Sequence, residues 1–304
     1  MKMQSIASLL SVAISLLASP AFSQSKMTVA YIPSVDFVPL FVAQDEGYFA
    51  KRGLDVTLQM IPVAANMPAA LTSHSIDIGV GTMPPLLLAT ENGLEFSVVA
   101  GYTRNLASDP QTSLLVRKGF DYKTPADLKG KRVGTPGFMS SFDIHFRKWL
   151  TLKNIDPKDV NFIETKFNQM GDQMKGGIVD AAIVIEPFRG EAVRNGSGDR
   201  AADFLGEVTK DDAGAFWMSN RDWAVAHPKE RTAFRAALEE GVATVSRDHA
   251  MAEATMKKYL KFTAPVAGDW SFDLTPADIQ FYEDMMLEFG LLKQKIDVTT
   301  LIAK

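Results

Sequence analysis

The chain of 304 residues contains no cysteine. That absence excludes disulfides, thiol nucleophiles, thiolate metal sites and lipid attachment through an N-terminal cysteine. Histidine is scarce: the four, at positions 74, 145, 227 and 249, show no metal-ligand spacing, so no metal site is expected. Basic residues are not in excess. The formal charge of −4, or −5 once Lys2 leaves with a leader, argues against nucleic acid or an anionic membrane surface as partner. Long apolar runs are missing too. No segment beyond residue 23 has the length of a membrane-spanning helix, and no direct membrane insertion is expected.

What is present is ordinary for a globular protein: 46% hydrophobic and 22% charged residues, with enough length for two domains and a sizeable core. Residues 1–23 read as a secretory signal, with Lys2 in the positive region, an apolar stretch from Ile6 to Leu17 and a small-x-small cleavage site at Ala21-Phe22-Ser23 before Gln24. A periplasmic location is the expectation.

Strands and helices then alternate. Met27–Ile32 is strand-like, Pro39 opens a helix that ends before Gly53, and Leu54–Met60 is the next strand. Asn66 with Pro68, and Thr82 before Met83-Pro84-Pro85, mark two further helix starts, with strands at Ile76–Val80 and Phe96–Tyr102. A second set follows: strand Gln111–Arg117, strand Arg132–Thr135, helix from Ser140, strand Val160–Glu164, helix capped by Asn168, and strand Asp180–Ile185. This predicts parallel, doubly wound α/β architecture in two lobes, with residues 24–110 in the first, 111–211 in the second, and 212–304 returning to the first as a strand and a helical tail. Two crossings, near residues 104–112 and 206–216, would form a hinge over a cleft.

In such sheets ligands lie beyond the carboxyl ends of strands, at helix N-termini. That rule selects Tyr31 to Asp36, Asn66, Met67, Thr82, Met83, Arg104 and Asn105 on one side. On the other it selects the loop Gly134-Thr135-Pro136-Gly137-Phe138-Met139-Ser140-Ser141, whose Ser140-x-x-Asp143 spacing resembles a capping box. Each taken singly reads more readily as a cap or turn residue; together they describe one rim. Arg104 is the cation among them, hence the first candidate to pair with an anionic ligand, although a solvated surface arginine fits the sequence as well. Phe262, Trp270, Phe272, Phe281 and Tyr282 of the tail read as core.

Three blocks carry a resemblance: Pro39-Leu40-Phe41-Val42-Ala43 with Glu46-Gly47-Tyr48-Phe49 and Gly53-Leu54-Asp55-Val56; Ala70-Leu71 with Ile76-Asp77-Ile78-Gly79-Val80-Gly81; and Asp127 to Gly134 through Asp180-Ala181-Ala182-Ile183-Val184-Ile185-Glu186-Pro187-Phe188. The chain resembles periplasmic solute-binding proteins of ABC importers in the nitrate, sulfonate, taurine and thiamine-pyrimidine group. The resemblance implies the type II periplasmic-binding fold and ligand contacts at the rim positions above and beside Glu186. It also implies a monomeric receptor without cofactor, partnered by a permease with a cytoplasmic ATPase. Many relatives have a tryptophan where this chain has Ile185, and glycine or serine in place of Asn66-Met67. With Phe37, Met67, Met83, Phe138, Met139 and Trp217 available to line the cleft, a small organic solute, anionic or heterocyclic, is expected rather than an inorganic anion.

Two other roles remain open: a pyrimidine synthase on the same fold, whose cysteine-rich iron motif this chain lacks, and a ligand sensor for a membrane regulator. Replacing Ser140 and Ser141 together by alanine is expected to weaken ligand binding, measured by calorimetric titration, more than Ser271→Ala does; equal effects would remove this loop from the cleft.

Overall fold

The computed structural model describes residues 24–62, 64–107, 112–261, 266 and 268–303; the expected leader and Phe262 lie outside them. The chain first lays down β1 (Ser25–Tyr31), α1 (Val38–Asp45), β2 (Leu54–Met60), α2 (Met67–Thr72), β3 (Ile78–Gly81), α3 (Met83–Glu91) and β4 (Phe96–Gly101). It crosses through the short β5 (Arg104–Leu106) into β6 (Thr112–Arg117), β7 (Arg132–Thr135), α4 (Ser141–Leu152), β8 (Asn161–Glu164), α5 (Phe167–Lys175), β9 (Ala181–Ile185), α6 (Phe188–Arg194), β10 (Gly198–Ala202) and α7 (Leu205–Val208). It returns through β11 (Asp211–Ala213) to β12 (Phe216–Asn220), and the tail is helical: α8 (Arg221–Ala226), α9 (Pro228–Arg247), α10 (His249–Leu260) and α11 (Pro276–Glu288).

Two five-stranded sheets result, ordered β2-β1-β3-β12-β4 and β10-β6-β9-β7-β8, and β5 pairs with β11 in a two-stranded ribbon between them. The expectation of purely parallel sheets needs one amendment in each. β12 runs antiparallel to β3 and β4, and β6 runs antiparallel to β9 and β10. The reason is the crossing. Each reversed strand is the first one laid into its sheet after the ribbon, so it starts at the edge where the other strands end. Two helix starts also differ: Lys166, not Asn168, precedes α5, and Asn66 sits at the head of α2 without a side-chain capping bond.

The second sheet is apolar on both faces, as a sheet covered by helices on both sides requires. The period-two alternation of the strands divides its core. Leu114, Val116, Val133 and Ile183 join Phe146, Trp149 and Phe204 on one face, while Leu115, Ala182 and Val184 meet Met170 and Met174 on the other. In the first lobe α1 is buried from Val38 to Ala43 beneath α9 and α10, and Phe41 stacks on Tyr259 with ring centroids 4.4 Å apart.

The α1–α9 approach is close enough to demand glycine at 241, where a Cβ would lie 2.3 Å from the Pro39 carbonyl oxygen. Alanine ordinarily favours a helix interior over glycine by about 1 kcal/mol. Here overpacking against backbone, about 1–3 kcal/mol, opposes that gain and should exceed it. Gly241→Ala is therefore expected to lower the denaturant midpoint.

Candidate ligand-binding cleft

Both sheets end toward the ribbon. On the first lobe that edge carries Ile32–Phe37, Ile61, Pro62, Ala64–Asn66, Thr82, Tyr102–Arg104 and the approach to β12; on the second it carries Thr112, Pro136–Ser141, Thr165-Lys166, Glu186–Phe188 and Asp203. Helices α2 to α6 begin there with N–H groups left over from their first turns.

At the start of α4, the Ser140 Oγ accepts from the Asp143 amide at 3.3 Å, and the Asp143 carboxylate accepts from the Met139 amide at 3.0 Å. The expected capping box is therefore only half formed: Ser140 caps the Asp143 amide, but the Asp143 carboxylate takes the Met139 amide, while the Ser140 amide goes to the Gly137 carbonyl. Asp143 is fully buried, and an Arg147 Nε–H at 3.0 Å supplies its compensating charge. Met139 takes a left-handed backbone, φ 61°, held by that amide bond, and the turn leaves Phe138 53% exposed. The first turns of α4, α5 and α6 each contribute a phenylalanine. Phe142 meets Phe167 edge-on at 5.7 Å, and Phe167 lies parallel to Phe188 at 6.3 Å.

Glu186 accepts from Arg189 Nε at 2.8 Å, Arg189 Nη2 at 2.7 Å and the Gly190 amide at 3.1 Å. Arg189 reaches on to Ser113 at 2.9 Å, whose hydroxyl donates to Asp203 at 2.6 Å. The Glu186 charge is therefore compensated within its own lobe.

On the first lobe, Phe37 stacks on Tyr102 at 5.2 Å, and the Trp217 ring stands edge-on to both. The expectation that Phe37, Met67, Met83 and Trp217 line the cleft is corrected by their burial: all four lie in the core, at no more than 1% exposure. They form the support under the rim. Tyr31 is nearly as buried, edge-on to Phe41, and burial raises its phenol above the usual range. Asn66 is exposed and Thr82 half-buried, and neither side chain caps the helix it precedes.

Arg104 is a second correction. It is neither a solvated surface residue nor a free cation, because Nε donates to Asp211 at 2.6 Å and Nη1 to Asp278 at 2.8 Å. Burial alone would weaken its charge, but these two carboxylates more than offset that and hold the guanidinium above its ordinary value.

Asp36, inside the expected rim segment but not singled out there, is anchored through its backbone. Its carbonyl accepts from the Tyr102 hydroxyl at 2.7 Å and from Trp270 Nε1 at 2.9 Å, and its carboxylate accepts from Ser34 Oγ at 2.8 Å. Burial raises the carboxyl above its usual range, and the Ser34 hydroxyl offsets part of this.

A buried polar junction joins the lobes. His145 of α4 places Nε2 3.3 Å from Asp212 of β11, while its Nδ1 lies 2.7 Å from the Ser141 carbonyl. Asn105 of β5 donates to the same carboxylate at 3.2 Å, and the Tyr282 hydroxyl of α11 donates to it and to the Ala213 carbonyl. His145, Asp212 and Tyr282 are each at most 2% exposed. Burial, and the Asp212 charge beside it, push the Tyr282 hydroxyl well above its usual range, which keeps it a donor. No sequence signal marked this junction, because its members lie far apart in the chain.

The fold is that of two-lobed periplasmic binding proteins. The alkanesulfonate-binding protein SsuA from Xanthomonas axonopodis pv. citri superposes with a TM-score of 0.74 at 20% identity, covering 92% of this chain and 98% of that one. The chain belongs to the NMT1-like family, whose model matches residues 21–258. It is 29% identical over 240 residues to the bicarbonate transport ATP-binding protein CmpC of Synechocystis, covering 71% of this chain and 34% of that one. It is also 28% identical over 159 residues to the 4-amino-5-hydroxymethyl-2-methylpyrimidine phosphate synthase THI13 of Saccharomyces cerevisiae, covering 51% and 44%. The chain spans about half the length of the curated relatives it matches, and less in the case of CmpC.

Tyr282→Phe keeps the ring and removes the donor, leaving the Asp212 carboxylate under-satisfied in a dry site. A stability loss of about 1–3 kcal/mol is expected in chemical denaturation.

Proposed function

We propose that this chain is the substrate-binding receptor of an ABC importer, capturing a small organic solute in the periplasm and presenting it to a membrane permease driven by a cytoplasmic ATPase. The observation that carries this reading is the pairing of two sheet edges, each lined with helix starts, across a ribbon formed by the two crossing strands. Solute would dock on one edge, and rotation about β5 and β11 would bring the other edge over it. Asn66, Thr82 and the loop from Phe138 to Ser141 are the contacts we assign, with Glu186 shaping the second edge through its bonds to Arg189 and Gly190.

Binding is favoured over catalysis because the groups best suited to proton transfer are already engaged elsewhere. His145 sits between Asp212 and the Ser141 carbonyl, and Glu186 is held by Arg189. An enzyme on this fold, as THI13 is by name, is the second reading, and a receptor that signals to a membrane regulator the third.

Small-angle scattering tests the proposal. Protein stripped of ligand by unfolding and refolding should have a larger radius of gyration than protein given back the small-molecule extract of its native preparation. The extract should also raise thermal stability, by about 2.7 kcal/mol for a ligand at 100 times its dissociation constant. An unchanged radius and an unchanged melting temperature would overturn the receptor reading.

A further inference from the structure

Helix α4 belongs to two cores. Phe146, Trp149 and Leu150 are buried in the apolar cluster of the second lobe, and Phe142 packs against it. At about 3.6 residues per turn, Ser141, Ile144 and Lys148 fall on the opposite side of the helix. That side faces the first lobe. Ile144 is fully buried in the apolar cluster that also holds Ile279, Tyr282 and Met286 of α11. Among the described residues it is the one buried member of that cluster contributed by residues 112–211. Beside it the His145 ring meets Tyr282 edge-on at 5.2 Å, and one turn on Lys148 reaches Glu288.

Helix α11 is in turn fixed to the first lobe and to both crossing strands. Ile279, Tyr282, Met285 and Met286 are buried, Asp278 pairs with Arg104 of β5, and the Tyr282 hydroxyl reaches Asp212 and the Ala213 carbonyl of β11. The residues leading into α11 run beside the outgoing crossing, where the Arg104 amide donates to the Asp269 carbonyl at 2.7 Å and the Ser271 amide to the Tyr102 carbonyl at 3.0 Å. The socket that receives Ile144 is therefore part of the first lobe, whereas Ile144 itself is tied to the second by the other face of its helix. Close-packed cores do not stretch, so a side chain in such a place is either seated or withdrawn.

We propose that Ile144 is a plug between the lobes. Seated, as it is here, it holds the second lobe against α11, and parting the lobes requires it to leave that socket. Phe146, Trp149 and Leu150 make the plug, the rest of α4 and the second lobe move as one body. This role rests on the receptor reading, which requires the lobes to move, and adds to it the residue that sets the balance between lobes held together and lobes apart.

The chain has no cysteine, so dyes can be attached to cysteines introduced at the exposed Val193 of α6 and Val225 of α8, one on each lobe. Single-molecule energy transfer between them, in the full chain stripped of ligand by unfolding and refolding, reads the separation of the lobes. Ile144→Ala should raise the ratio of separated to seated molecules about tenfold or more, because the shorter side chain gains less from the socket. Ile144→Val should shift that ratio in the same direction by less. Leu150→Ala truncates a buried side chain of the same helix in the other core. It should lower the denaturation midpoint and leave the transfer distribution of folded molecules unchanged.

An unchanged distribution in Ile144→Ala, or an equal shift in Leu150→Ala, would overturn the plug and mark Ile144 as ordinary core. Should Ile144→Ala fail to fold, Ile144→Val decides the matter, and no shift in it counts against the plug. The native extract, added to the wild type, keeps the two readings apart. Transfer that responds to the extract but to neither substitution at Ile144 overturns the plug alone. Transfer that responds to those substitutions and not to the extract removes the receptor reading and leaves the plug standing. A response to neither brings down both.

Discussion

The Asp212 carboxylate is the point on which the two lobes depend. It is buried on the returning crossing strand, and it receives donors from the outgoing strand through Asn105 and from the tail through Tyr282, with His145 of the second lobe beside it. A buried charge of this kind is tolerated only when its partners are in place. Assembly of the junction therefore requires β5, β11, α4 and α11 to be positioned together. The Lys148–Glu288 pair, 2.6 Å apart at the surface, repeats the α4–α11 contact in a solvated setting where it contributes much less.

Much of the fold was readable from residue order. Helix and strand periods alternate plainly through residue 190, and capping boxes at Thr124-x-x-Asp127 and Thr275-x-x-Asp278 form as their spacing indicates. The reversed strands were not readable, because direction in a sheet depends on where the chain enters, and β6 and β12 have the same apolar composition as their parallel neighbours. The site was readable as a set of loops and not as a set of side chains. Position relative to a strand end identifies the rim, but whether Met67 or Met83 points outward depends on packing beneath it. Arg104 shows the same gap. Its two carboxylate partners are more than 100 residues away, so nothing local could announce that its charge is satisfied.

The charge arrangement follows one theme. Three arginines near the two edges are engaged by acids of the protein itself, Arg104 by Asp211 and Asp278, Arg147 by Asp143, and Arg189 by Glu186. These pairs shape the backbone of the rim, as when Asp143 also fixes the Met139 amide. The apolar side is equally ordered. Phe37, Tyr102 and Trp217 of the first lobe are packed under the rim as support, whereas Phe142, Phe167 and Phe188 of the second lobe stand at helix starts and are half-exposed.

Helix α4 gathers these elements on one rod. Its cap at Ser140 and Asp143 holds the loop of the second edge, His145 touches the crossing strand, and Lys148 reaches the tail of the other lobe. At about 1.5 Å per residue, Ser140 and His145 are separated by only about two turns of pitch or less. The stretch between them is hydrogen-bonded helix, too stiff to absorb a displacement. A displacement of the loop would therefore reach the junction as a tilt of the whole rod, with Lys148 beyond the His145 contact. If the loop meets a solute as proposed, substitutions at Phe138 or Met139 would alter that contact while leaving the His145 and Lys148 attachments of the rod as they are.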